Sequence, residues 1–193
     1  MRLFFLACLL LELCAGTARG AEDLAVDAVR KGEFIEVRAH ATLEASLSVI
    51  WTALTDYDRL PEFIPGLRKS KVVSRKGPVV IVEQSGEARF LMFTFPIEVT
   101  LEATERPPSQ IQVRALAGNL RHFEGGYRVE PEPNGSKIVL KWVGSIIPDV
   151  SLPPLIGEVV MRMQIEDQFT GMVREIERRE GLRRAKEKES APK

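Results

Sequence analysis

Seven candidate strands follow one another almost without interruption between residues 67 and 147, and a single long helical pattern comes after them. The strands read as 67–75, 78–84, 88–95, 97–104, 110–117, 120–129 and 137–147. Connections this short join antiparallel neighbours, and such a sheet has one apolar face that must be covered. Alternation places Ile111, Val113, Ala115 and Ala117 inward on one strand and Ile138, Leu140 and Trp142 inward on another, with Lys137 and Lys141 outward. The cover is the element after Pro153-Pro154, a helix predicted from about residue 155 to 184. The resulting class is α+β, a curved antiparallel sheet around one carboxy-terminal helix.

The segment before the sheet completes this order. From residue 33 to 43, Ile35, Val37, Ala39, Ala41 and Leu43 alternate with polar or surface residues, the period of a half-buried strand. Ser46 can cap a helix in which Leu47, Ile50, Trp51 and Leu54 fall on one apolar face. That helix should stop near Asp56. Pro61, Pro65 and Gly66 then impose a corner and one short helical turn around Phe63 and Ile64. Pro96 should break or bulge the central pair of strands, and Asn134-Gly135 marks a hairpin within an Asn-Gly-Ser sequon.

The extreme amino terminus follows different rules. Arg2 leads into an apolar run from residue 3 to 13, and Ala18 and Gly20 supply the small residues that precede a cleavage before Ala21. The run is far shorter than the roughly 20 residues a membrane-spanning helix requires. Residues 1–20 are therefore expected to be a cleavable secretory signal, with a lipid-anchored form at Cys14 as the alternative. Residues 21–32 are expected to be a lead, 33–180 one domain, and 181–193 a charged flexible tail. Export points to a periplasmic or secreted protein, in a bacterium.

Removing the signal deletes Cys8 and Cys14, the only cysteines, so the mature chain holds no disulfide and no thiolate. It also takes Arg2 and Arg19 from 27 basic residues and Glu12 from 27 acidic ones, leaving 25 against 26. A chain this close to neutral lacks the net basic face of a non-specific nucleic-acid binder.

Residues that carry chemistry are few. His40 falls on the polar face of its strand, His122 sits beside Phe123, and no paired metal-ligand spacing or nucleophile motif occurs. No metal or cofactor is implied. Asp56, Asp58 and Glu62 read as acids at a helix end rather than as a catalytic cluster. Tyr57, Tyr127 and Arg162 remain able to polarise a ligand carbonyl. In the long helix a stripe of Leu155, Val159, Arg162, Glu166, Phe169, Val173 and Ile176 carries two charges on an apolar face. Either that pair meets a ligand's polar group, or Ile156, Val160 and Met163 make the contact and the pair is solvated. The run 89–96, RFLMFTFP, is apolar on both faces; Phe90 and Met92 offer a homodimer or transient membrane contact, or the mouth of an apolar cavity.

IWTALTDYDRLPEFIPGL, LRHFEGGYRVEPEPNGSKIVLKW and the final helix together resemble the START-like helix-grip superfamily, and within it the polyketide cyclase/dehydrase and coenzyme Q-binding branch. The resemblance implies a hydrophobic tunnel between sheet and helix, closed at one end by the two short helices. It implies a ligand site of Trp51, Phe63, Ile64, Phe93, Ile111, Val113, Phe123, Tyr127, Leu140, Trp142, Arg162 and Phe169, with Arg162 orienting the ligand head. It implies a non-enzymatic binder or carrier of a lipid, quinone or polyketide-like molecule. The alternatives are a cyclase or dehydrase and an interaction module using the 89–96 face.

Overall fold

The computed structural model describes residues 21–90, 93–133, 135, 137–149 and 154–190, without the side chains of Glu22, Phe90, Phe93 and residues 154–156. The expected signal segment, Met92 and the residues flanking Gly135 lie outside the described residues.

One eight-stranded antiparallel sheet carries the fold, in the order β1-β2-β8-β7-β6-β5-β4-β3. Its strands are β1 (Glu22–Lys31), β2 (Phe34–Leu43), β3 (Leu67–Lys76), β4 (Val79–Phe90), β5 (Phe93–Arg106), β6 (Gln110–Gly118), β7 (Leu120–Pro131) and β8 (Ile138–Pro148). Two helices complete it, α1 (Leu47–Leu54) and α2 (Pro154–Ser190), with a 3₁₀ turn over Tyr57–Glu62. The sheet curves around α2, a helix-grip arrangement.

Period-two burial sets the register. Ile35, Val37, Ala39, Ala41 and Leu43 all point into the core from β2, and Ala39, Ala41 and Leu43 lie opposite Trp142, Leu140 and Ile138 of β8. A one-residue slip would turn every one of these side chains to solvent. Residues 21–32 do not form a lead: β1 pairs along β2, joined by a two-residue turn with Gly32 at φ 63°. Its alternation of Leu24, Val26 and Ala28 is faint because these side chains only border the core.

Three further expectations are corrected. Residues 88–95 are not one strand. The β4–β5 register ends with Phe90 opposite Phe93, so the chain reverses there, and a hairpin tip does not alternate. Pro96 neither breaks nor bulges the ladder; it pairs with Glu87 inside the unbroken β5. β6 joins β5 only from Val99 onward, and Asn119 covers the gap, donating from Nδ2 to the Pro96 carbonyl at 2.8 Å and accepting from the Glu98 amide at 2.9 Å. Pro96 thus costs no ladder bond. Finally, residues 181–190 are helical, continuing α2 to Ser190.

α2 begins with Pro154 at its first position, where a missing N–H is harmless. Its inward face is Val160, Met161, Phe169, Met172, Val173 and Ile176. Met163 and Val159 are exposed, against the contacts expected of them. In α1, capped by Ser46 Oγ accepting from the Val49 amide at 3.4 Å, the inward face is Ile50, Ala53 and Leu54, with Leu47 turned to solvent.

Candidate functional site: an apolar cavity under a docked corner

Curvature of the sheet holds its concave face away from α2, and two adjoining chambers open between them. The inner one, about 170 Å³, lies under the 3₁₀ turn between Tyr57, Trp142 and Phe169; the second, about 130 Å³, continues along the helix past Gln164 and Met161. They share Leu67, Gln84, Leu101, Phe123, Ile165 and Gln168. A third space of about 220 Å³ adjoins the second through Ile97, Leu120 and Met161 and reaches Pro96, Pro148 and Val160. The series follows α2 from Met172 back to Val160, which at 1.5 Å per residue is roughly 18 Å.

Two glycines make the floor. Gly125 and Gly144 face each other on the concave side of β7 and β8, and the Trp142 indole lies across them. A Cβ on Gly144 would stand 2.4 Å from Trp142 Cη2, and one on Gly125 3.2 Å from Cζ2. Without side chains there, the ring can lie flat and form a wall of the inner chamber.

The corner after α1 closes the cavity. Tyr57, Leu60 and Ile64 turn inward onto the inner chamber, while Phe63 and Pro65 dock against α2. Gly171 permits that approach, since a Cβ on it would meet the Phe63 carbonyl oxygen at 2.4 Å and Pro65 Cδ at 2.7 Å. Gly66, at φ 79°, then turns the chain into β3 and accepts from the Glu87 amide at 2.8 Å. Ionic contacts reinforce the docking. Arg179 donates to Asp56 at 2.8 Å and to Glu175 at 2.7 Å, with its guanidinium 5.4 Å from the Phe63 ring centroid. Glu180 accepts from Arg183 and Arg184 and from the Ser46 amide. Arg178, 2.6 Å from Glu175, and Arg179 hold the Glu175 carboxyl down at about 2, and Arg183 and Arg184 do the same for Glu180, against the opposing effect of burial.

The acids of the corner make structural contacts other than helix capping: Asp58 Oδ1 accepts from the Val72 amide at 2.8 Å, Glu62 pairs with Arg59 at 2.7 Å, and Asp56 precedes the 3₁₀ turn without a side-chain capping bond. Neither histidine faces the cavity. His40 is exposed, and His122 shares a hydrogen bond with Ser145 Oγ at 2.9 Å and packs edge-on against Phe34. Among the described residues there is no cluster of metal-ligating side chains and no helix long and apolar enough to cross a membrane.

Seven of the residues expected at the site line the inner chamber: Ile64, Ile111, Val113, Phe123, Tyr127, Trp142 and Phe169. Four do not. Trp51 is half-buried beside the core because α1 turns Ile50, Ala53 and Leu54 inward. Phe63 faces outward under Arg179 because the tight 3₁₀ turn places Leu60 and Ile64 inside instead. Leu140 is sealed in the closed core between Ala41 and Val129. Arg162 is on the solvent side of α2 in a surface pair with Glu166 at 3.3 Å, so it meets no ligand in the cavity. Phe93 belongs to β5, its side chain outside the description.

The polar groups that do face the cavity are others. Gln164 and Gln168 project from α2, and Gln84 from β4 donates to the buried Ser70 hydroxyl at 3.1 Å. Glu87 borders the second chamber with its charge matched by Arg68 and Arg89. The signal for the glutamines was a second helical face, 161, 164, 165, 168 and 172, one position round from the stripe that held Arg162. Burial raises the pKa of both cavity tyrosines, Tyr57 and Tyr127, so both are protonated donors at neutral pH.

An antiparallel sheet gripping one long terminal helix over an apolar cavity is the START-like helix-grip class. The family described as Polyketide cyclase / dehydrase and lipid transport matches residues 43–174, and the chain belongs to it. Solved structures agree on the fold. The Zhui aromatase/cyclase of a Streptomyces species superposes with a TM-score of 0.64 at 14% identity, over 78% of this chain and 95% of its own. A STAR-related lipid transfer protein from Xanthomonas axonopodis gives 0.64 at 12%, over 82% and 99%. A START superfamily protein from Mycobacterium smegmatis gives 0.58 at 14%, over 76% and 97%. No curated protein matches the sequence.

Proposed function

We propose that this protein binds and carries a hydrophobic small molecule, a lipid, quinone or polyketide-like compound, without transforming it. The observation that carries the reading is the pair of connected chambers whose walls are mostly aliphatic and aromatic. Together they reach the lower end of the roughly 300–1,000 Å³ typical of small-molecule sites. Burial of apolar ligand surface supplies the affinity, at about 25 cal/mol per Å² before ordering costs. A cyclase or dehydrase needs a base as well as an acid. Burial makes the wall hydroxyls of Tyr57 and Tyr127 weaker acids still, and Glu87, the carboxylate bordering the second chamber, is tied to Arg68 and Arg89, which supports carriage over proton abstraction.

Export completes the proposal: Arg2, the apolar run after it and the small residues Ala18 and Gly20 support cleavage before Ala21. An intact mass beginning at Ala21 for protein recovered from its native compartment checks that part.

Leu101 stands where the two chambers meet. Leu101→Trp should plug the junction. The expected result is at least tenfold weaker binding of a fluorescent fatty acid with an unchanged circular-dichroism spectrum. Undiminished binding in that variant overturns the assignment of the cavity.

A further inference from the structure

Where the two chambers meet, their walls turn polar. Gln84 from β4 and Gln168 from α2 line both chambers, one on the sheet side and one on the helix side, among Leu67, Leu101, Phe123 and Ile165. Gln84 Nε2 donates to the buried Ser70 hydroxyl at 3.1 Å, which fixes that amide. The Gln168 side-chain amide has no hydrogen-bond partner among the described residues and is open to the chambers. Among the described residues no lysine, arginine or histidine lines either chamber or the third space. The charged groups there are both acids, Glu87 from β4 and Asp149 beyond β8. α2 adds only the amides of Gln164 and Gln168, and the remaining titratable groups are the phenols of Tyr57 and Tyr127. Arg68 and Arg89 are exposed and turned to Glu87. An anion buried in the chambers would lack a countercharge, and such a group takes up a proton instead.

We propose that this polar waist binds the carbonyl of an uncharged ligand, a ketone, ester or amide with an apolar arm on each side. The carbonyl oxygen accepts from Gln168 Nε2, one arm fills the inner chamber, and the other follows α2 past Gln164. A carbonyl near the end of a chain reaches the waist only by leaving one chamber empty. A fatty acid enters only as its neutral form. This inference rests on the reading of the chambers as a ligand site.

The test compares undecan-6-one with undecan-2-one by calorimetry. The isomers carry nearly the same apolar surface, so their ranking reads the place of the carbonyl. The wild type should prefer the central ketone by about tenfold or more, equivalent to ~1.4 kcal/mol. Gln168→Met keeps the length of the side chain, removes the amide and should bring the ratio close to one. Equal affinity for the isomers overturns the waist alone. A preference that survives Gln168→Met overturns it too, and its loss in Tyr127→Phe would then put the carbonyl in the inner chamber. The fluorescent fatty acid should lose about tenfold in affinity per pH unit between about pH 5.5 and 7.5, while the ketone's affinity stays level. A fatty-acid affinity independent of pH would leave the carboxylate outside, beside Arg68 and Arg89, and overturn the restriction to uncharged ligands. Failure of the wild type to bind the ketones or the fatty acid at all overturns the waist and the carrier reading together. Should Gln168→Met fail to fold, the wild-type ranking and the pH series still decide.

Discussion

Gly171 and Gly181 lie on the same helix, and the structure predicts opposite signs for the same substitution at each. In a solvent-exposed helix interior, Gly→Ala stabilises by about 0.5–1 kcal/mol, because alanine loses less backbone entropy. At Gly181 a Cβ would meet nothing within 4 Å, so Gly181→Ala should show that gain. At Gly171 the same methyl would stand 2.4 Å from the Phe63 carbonyl oxygen and 2.7 Å from Pro65 Cδ. Neither can yield cheaply, because one is backbone and the other a rigid ring on a corner fixed by Pro61 and Pro65. Overpacking of this kind costs about 1–3 kcal/mol, and subtracting the propensity gain leaves Gly171→Ala destabilised by about 0–2.5 kcal/mol. The two variants should therefore separate by about 1–3 kcal/mol in urea denaturation. Hydrogen exchange should locate the damage, with amides of residues 57–66 exchanging faster in Gly171→Ala and unchanged in Gly181→Ala. Equal stabilisation by both substitutions, with residues 57–66 equally protected, would refute the docking of the corner on α2.

Other consequences follow from the same geometry. Gly144→Ala drives a methyl to 2.4 Å from the Trp142 ring and should cost about 1–3 kcal/mol. Most of that cost should vanish in a Trp142→Leu background, and additive effects in this double-mutant cycle would show that the indole is not the obstacle. Stability should fall as the pH drops from about 4.5 to 2. The folded state holds Glu175 and Glu180 at about 2, below the unfolded value, so their contribution is present above that window and lost within it. Each supplies at most about 3 kcal/mol, and about 1–2 once solvent around the more exposed Arg178 and Arg183 is allowed for. A Glu175→Gln, Glu180→Gln double variant that keeps the wild-type pH slope between 5 and 3 would contradict this. Arg162→Ala should leave both fatty-acid affinity and stability unchanged within about 0.5 kcal/mol; a tenfold loss of binding would return Arg162 to the site.

Much of the fold was legible because each β-strand buries one face. The alternation of Ile35, Val37, Ala39, Ala41 and Leu43 is the register against β8, and Ile111 and Val113 face the chamber as alternation requires. What failed did so for physical reasons. The stripe through Arg162 and Glu166 and the neighbouring face through Met161 and Ile165 both meet Phe169, and periodicity alone does not choose between two faces so close in angle. Packing against the curved sheet chooses Ile165 and Met161, and the charges stay in solvent. The hairpin at Phe90 and Phe93 hid because apolar residues on both faces look like a buried strand end.

The most direct test of the central claim is the mass of the protein as it leaves its native compartment. Native and denaturing mass spectra of gently purified protein should differ by one organic molecule per chain, and the released compound should be hydrophobic. A chain that is empty as isolated, and stays empty after incubation with a lipid extract of its own cells, would contradict the carrier reading.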